Sequence, residues 1–214
     1  MSPDIFTLAV PRAKRLGVWN ILVATNTGES VRKAQQSFGP EFSFFAVGNH
    51  PSSREKGFAL HSGIADATKQ QLEAKGIKVI RQDASIFQAS ANRKIRVASF
   101  DNAAQAYVRR FAKTFQEGET VPNNICKVMG HILAEFFGDG PKVCMEIALM
   151  AVDSGQLPLN EDCMAMATPG GYSHAALVLH PVKTSELFST HFRVKDLLLV
   201  PGENDIWFND GPIP

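Results

Sequence analysis

The sequence predicts an α/β fold: a three-layer α/β/α arrangement on a mostly parallel sheet, with the first strand central and a helical insertion. Three observations carry this. Residues 21–24 form a short apolar run that ends abruptly in Thr25-Asn26-Thr27-Gly28, and a run apolar at every position suits a strand buried on both faces. Directly after it, Val31, Ala34 and Phe38 recur at helical spacing. The alternation then repeats, and two strand–helix–strand units in succession argue for parallel pairing with right-handed crossovers.

The elements follow in order. Ile5, Phe6, Leu8, Ala9, Ala13 and Leu16 mark a helix within residues 1–17, and Gly17 is a suitable stop. The first strand covers about 19–25 and the next helix 28–38, ended by Gly39-Pro40. Residues 42–47 are the second strand. The polar stretch 48–57 after it is long for a loop inside a domain, and loops of that length are often functional. A helix over 65–75, with Ala67 and Leu72 apolar, stops at Gly76, and 77–80 is the third strand.

The rhythm then breaks. Residues 83–100 have no clean period. Residues 103–115 read as a helix with Tyr107, Val108, Phe111 and Phe115 on one side and Arg109, Arg110 and Lys113 on the other, a basic face that solvent ordinarily covers. A further apolar helix covers 123–137, so 83–137 is a helical insertion within one α/β domain of residues 1–200. Gly138-Asp139-Gly140 breaks the chain, and Pro141 suits the first position of the next helix. Residues 143–152 are apolar almost all round, which predicts burial between layers. The polar exceptions, Glu146 and Asp153, lie seven apart and share a face. Strand four (162–167) runs into Thr168-Pro169-Gly170-Gly171-Tyr172-Ser173-His174. Strand five covers 175–181, a short turn or helix surrounds Leu187, and a last strand covers 194–200. The tail, 201–214, carries Trp207 and Phe208 and reads as an arm that docks on the body or on a neighbouring subunit.

Composition bounds the function. The chain has 214 residues, 44% hydrophobic and 20% charged, which is a globular balance able to fill a core. A net charge of +1 gives no nucleic-acid footprint. The three cysteines, Cys126, Cys144 and Cys163, sit far apart without metal-ligand spacing, and the last two read as reduced core thiols. No apolar run approaches a membrane span, and no basic segment precedes an apolar core at the N-terminus, so a cytoplasmic protein is expected.

A first strand with two parallel neighbours wound to one side, then a long excursion, places strand four on the free side of strand one. Strands one and four are then the switch point of the sheet, where ligands of open α/β sheets bind outside the carboxyl ends. Two loops rich in small residues meet there. One holds Thr25, Asn26, Thr27, Gly28, Glu29 and Ser30; the other holds Thr168, Pro169, Gly170 and Gly171. At a helix start the first amides lack intrahelical partners and the helix dipole is positive, so the first loop is a candidate phosphate cradle. The alternative is structural: Thr27 or Asn26 caps the helix and Gly28 turns the chain. Neither common glycine-rich phosphate motif is present.

Three stretches also carry a resemblance: Ile21-Leu22-Val23-Ala24-Thr25-Asn26-Thr27-Gly28-Glu29-Ser30, then Lys142-Val143-Cys144-Met145-Glu146-Ile147-Ala148-Leu149-Met150-Ala151-Val152-Asp153-Ser154-Gly155, and the region through Ala176-Leu177-Val178-Leu179-His180-Pro181. They resemble the carboxyl-terminal domain of pyruvate kinase and, more closely, the stand-alone prokaryotic proteins of the pyruvate kinase alpha/beta domain-like group. The resemblance covers 12–82 and 138–200 and is poor over 83–137 and the tail. It implies a three-layer α/β fold. In pyruvate kinases the loop corresponding to 25–30 grips phosphate of a sugar-bisphosphate effector, and the later glycine-rich loop closes over it. The stand-alone relatives have no established reaction, and flavin mononucleotide (FMN) is a plausible ligand for them. The catalytic residues of pyruvate kinase lie outside this domain, so no kinase activity carries over. At 168–174 the chain departs from these relatives, which carry an Arg-bearing glycine loop followed by Asp, and the ligand's identity stays open.

Around this crevice, Asn49 and His50 follow strand two at the same sheet edge, and His50 can hydrogen-bond a ligand or move a proton. His174 borders the second loop, and Tyr172 can stack on a flat ring or simply cover the core. Glu146 is either a ligand contact of raised pKa or a partner for Lys142 one turn earlier. Asp153, at a helix end unfavourable for a carboxylate, needs a partner. The remaining histidines show no metal spacing and read as packing or surface residues. Three readings follow: a homo-oligomeric binder of a phosphorylated small molecule, FMN among them; a flavin-dependent oxidoreductase using the same crevice; or a non-catalytic assembly module that buries its apolar helices between subunits.

Overall fold

The structure, a computed structural model, describes residues 4–48, 63–81, 125–168, 174–187 and 189–200. Its elements are α1 (Ile5–Leu16), β1 (Asn20–Ala24), α2 (Glu29–Phe38), β2 (Ser43–Val47), α3 (Asp66–Glu73), β3 (Lys78–Ile80), α4 (Ile125–Phe137), α5 (Asp139–Asp153), β4 (Cys163–Ala167), β5 (His174–His180) and β6 (Arg193–Val200). A 3-10 turn, Thr184–Glu186, lies between β5 and β6. The helix expected over 103–115 lies outside the described residues.

Among the described residues the sheet has six strands in the order β3-β2-β1-β4-β5-β6. β1 pairs in parallel with β2 on one side and β4 on the other, and β2 pairs in parallel with β3. Strand one is therefore central, and β1 and β4 flank the switch point. β5 and β6 run antiparallel to their neighbours. The six residues between β4 and β5 explain the first reversal: a parallel return needs a dozen or more.

Alternation along the strands sorts the side chains into two cores. On one face Leu22, Phe45, Val47, Ile80 and Ala165 meet Cys144, Ala148, Leu149 and Val152 of α5. On the other, Ile21, Val23, Phe44, Met164 and Met166 meet Ile5, Phe6, Ala9 and Ala13 of α1, Val31, Ala34 and Phe38 of α2, and Leu72 of α3. β1 reads as an unbroken apolar run because helices cover it on both sides. Each large side chain buried this way contributes roughly 1.5–3 kcal/mol.

Local signals account for the helix ends. Asp4 caps α1 by accepting from the Phe6 amide, and Gly17 closes it at φ 65° while the Val18 N–H reaches Ala13 O at 3.0 Å. Lys14 and Arg15 sit in its last turn, where the helix dipole favours cations. α5 begins at Asp139, two residues before Pro141, so the proline lies inside the first turn, where a missing N–H costs no helical bond. The Asp153 carboxylate finds its partner outside the helix, accepting from the Thr184 amide at 2.9 Å.

β6 carries a bulge. Val178 pairs with Asp196 and Leu179 with Val194, which leaves Lys195 as the extra residue. Bulges re-aim side chains and blunt sheet edges. Here Lys195 reaches Asp162, which directly precedes β4, at 2.5 Å. Arg12 of α1 holds Asp196 and the Leu197 carbonyl at 3.0 and 3.1 Å.

Candidate functional site

The 25–30 loop leaves the sheet at the carboxyl end of β1. The Thr25 amide extends the ladder by donating to Val47 O at 3.0 Å. Its buried hydroxyl then accepts from the Gly28 amide at 2.9 Å, which closes the turn into α2. Gly28 is the N-cap, at φ 79° and without a side-chain cap, so neither Asn26 nor Thr27 takes that position. Thr27 accepts from the Glu29 amide, but at 3.4 Å, a long bond. A Cβ at Gly28 would lie 3.2 Å from the Leu72 methyls and 3.3 Å from Thr68 Cγ2. Glycine is thus required by the left-handed backbone and by the close approach of α3.

Charged groups flank the helix start. Glu29 pairs with Lys33 one turn on at 2.8 Å; the hydrogen bond and charge of Lys33 hold its carboxyl below the ordinary value. Arg32 folds back so that its guanidinium donates to Thr27 O at 3.2 Å.

Thr168, the residue that follows β4, comes to the same place. Thr168 Oγ1 lies 3.2 Å from Ser30 Oγ, joining the two loops across the switch point. Thr25, Thr27, Ser30 and Thr168 therefore gather at one rim, around the amides that open α2. Asn49, His50, Pro169, Gly170, Gly171 and Tyr172 lie outside the described residues. His174 is the first residue of β5, half-buried and opposite Val200.

Glu146 lies on α5. It is 8% exposed, and among the described residues its buried Oε1 has no hydrogen-bond partner. Burial pushes the carboxyl up to about 7; Lys142 opposes the shift and Asp139 adds to it. Lys142 forms its ion pair with Asp139 at 3.8 Å, and among the described residues no ion pair joins it to Glu146, although its charge still acts on that carboxyl. Cys144, two residues earlier, donates to Ala175 O at 3.5 Å and so faces the sheet. Glu146 lies about 200° further round the helix. Among the described residues no hydrogen bond or ion pair joins it to the 25–30 loop.

One polar cluster gave no signal in the sequence. At the opposite rim, His180 Nδ1 lies 2.7 Å from Asp162 Oδ1, and Lys195 takes the other carboxylate oxygen. His180 is thus hydrogen-bonded to a carboxylate and not simple packing or surface. Burial pushes the Asp162 carboxyl up, but hydrogen bonds from Lys195 and His180 outweigh it and hold the group below its ordinary value. The three residues are 18 and 33 positions apart, so no periodicity links them. A shallow open groove of about 450 Å³ lies near the amino end of β3, between Lys69, Glu73, Lys78 and Gln156.

Burial pushes the thiols of Cys144 and Cys163 up, so both stay protonated core groups and neither is an activated nucleophile. Among the described residues no group of three His, Cys, Asp or Glu is placed to hold a metal ion, and no helix is long and apolar enough to cross a membrane. No protein-family model matches the chain.

Proposed function

We propose that this chain binds a phosphorylated small molecule at the rim where the loops after β1 and β4 meet. The observation that carries the reading is the 3.2 Å contact between Ser30 and Thr168, which sets two hydroxyls beside the start of α2 at the switch point. The Gly28 and Glu29 amides are taken by Thr25 and Thr27, which leaves the Ser30 and Val31 amides of the first turn, with the positive end of the helix dipole, to favour an oxyanion there. The hydroxyls of Thr25, Thr27, Ser30 and Thr168 supply further donors, and Arg32 is close enough to add charge. Gly170 and Gly171 are the sequence candidates for further contacts from the segment after β4.

FMN is the ligand that the resemblance to the pyruvate kinase alpha/beta group favours. The described residues suit its phosphate; Asn49 and His50 are the sequence candidates for its remainder. When bound, FMN would supply a flavin ring for redox chemistry, while the chain's own part is to hold the phosphate. Kinase activity is not expected. The test is mass spectrometry of small molecules released from freshly purified protein, paired with melting temperature against added FMN and inorganic phosphate. A released phospho-compound, or a melting temperature that rises with FMN and falls back in Ser30→Ala, supports the reading. Absence of any phospho-ligand together with no thermal shift overturns it.

A second reading, assembly, is favoured by Phe136 and Phe137, 65% and 40% exposed at the end of α4, since contiguous exposed apolar surface is a mark of an interface. A melting temperature that rises with protein concentration supports it.

A further inference from the structure

We draw no further inference here: the strongest candidate, the Glu146 carboxyl buried on α5, rests on its raised pKa alone, since nothing among the described residues shows what meets its unpartnered Oε1.

Discussion

Ser30 Oγ and Thr168 Oγ1 lie 3.2 Å apart although 138 residues separate them. The contact is possible because β4 pairs in parallel with β1, so that Thr168, just past the end of β4, shares a rim with the residues that follow β1. Either hydroxyl can donate in it, which leaves the other proton available for a ligand oxygen.

That pair can be tested in the free protein and with ligand. Ser30→Ala and Thr168→Val are each expected to cost about 1 kcal/mol of stability, the size of a single net hydrogen bond. In a double-mutant cycle by urea unfolding, the two losses should couple by at least about 0.5 kcal/mol. Strict additivity would mean that the hydroxyls do not interact. If phosphate binds there, each variant should weaken FMN by roughly 10-fold, the effect of a lost bond to a charged group, as read by calorimetry.

Gly28 is expected to resist substitution. Gly28→Ala forces a side chain into the left-handed region and brings a methyl to 3.2 Å from Leu72. The backbone penalty alone is about 1–2 kcal/mol. The denaturant midpoint should fall by a corresponding amount with the slope unchanged. An unaltered midpoint would contradict both the conformation and the packing.

Glu146 predicts an unusual pH dependence. Its carboxyl titrates near 7 in the folded protein against 4.5 for the ordinary group, so the folded state holds the proton more tightly. Its contribution is fully present below about pH 4.5, is lost as pH rises through 7, and amounts to roughly 3 kcal/mol across that window. Glu146→Gln keeps the shape and removes the titration. Relative to the parent protein it should gain stability between pH 5 and pH 8, measured by urea unfolding at each pH. Parallel pH profiles for the two proteins would refute the assignment.

Asp162 predicts the opposite sign. Its folded pKa is depressed, so its contribution is present above the ordinary carboxylate range and is lost as pH falls through the lowered value. Asp162→Asn should destabilise the protein at pH 7 by about 1–2 kcal/mol, since two charge-assisted bonds weaken at once. The gap should close in acid. A destabilisation that is constant with pH would mean that the ionised carboxylate plays no part.

Much of the fold was legible because its signals are local. The apolar run 21–24, the spacing of Val31, Ala34 and Phe38, and the stop at Gly17 each follow from backbone geometry within one element. The position of β4 followed from topology: once β2 and β3 had taken one side of β1, only the other was open. Of the candidate site, the placing of the 25–30 segment and Thr168 at the switch point was legible, while Pro169, Gly170 and Gly171 lie outside the described residues. The details of the site were not legible. Thr25 closing the turn, Gly28 as the cap, and Lys142 paired with Asp139 and not with Glu146 all depend on which of several chemically equivalent partners lies nearer. Composition and spacing do not carry that information.

By itself, then, the chain's order of residues determined the alternation of strands and helices, the central strand and the two loops that frame the switch point, because periodicity and chain connectivity act over short distances. Tertiary structure alone decided that Ser30 meets Thr168, that Asp162 gathers His180 and Lys195 at the other rim, and that Glu146 is buried with an oxygen unpartnered among the described residues. Hydrogen bonds and desolvation depend on separations of a few tenths of an ångström, and only packing between distant segments sets these.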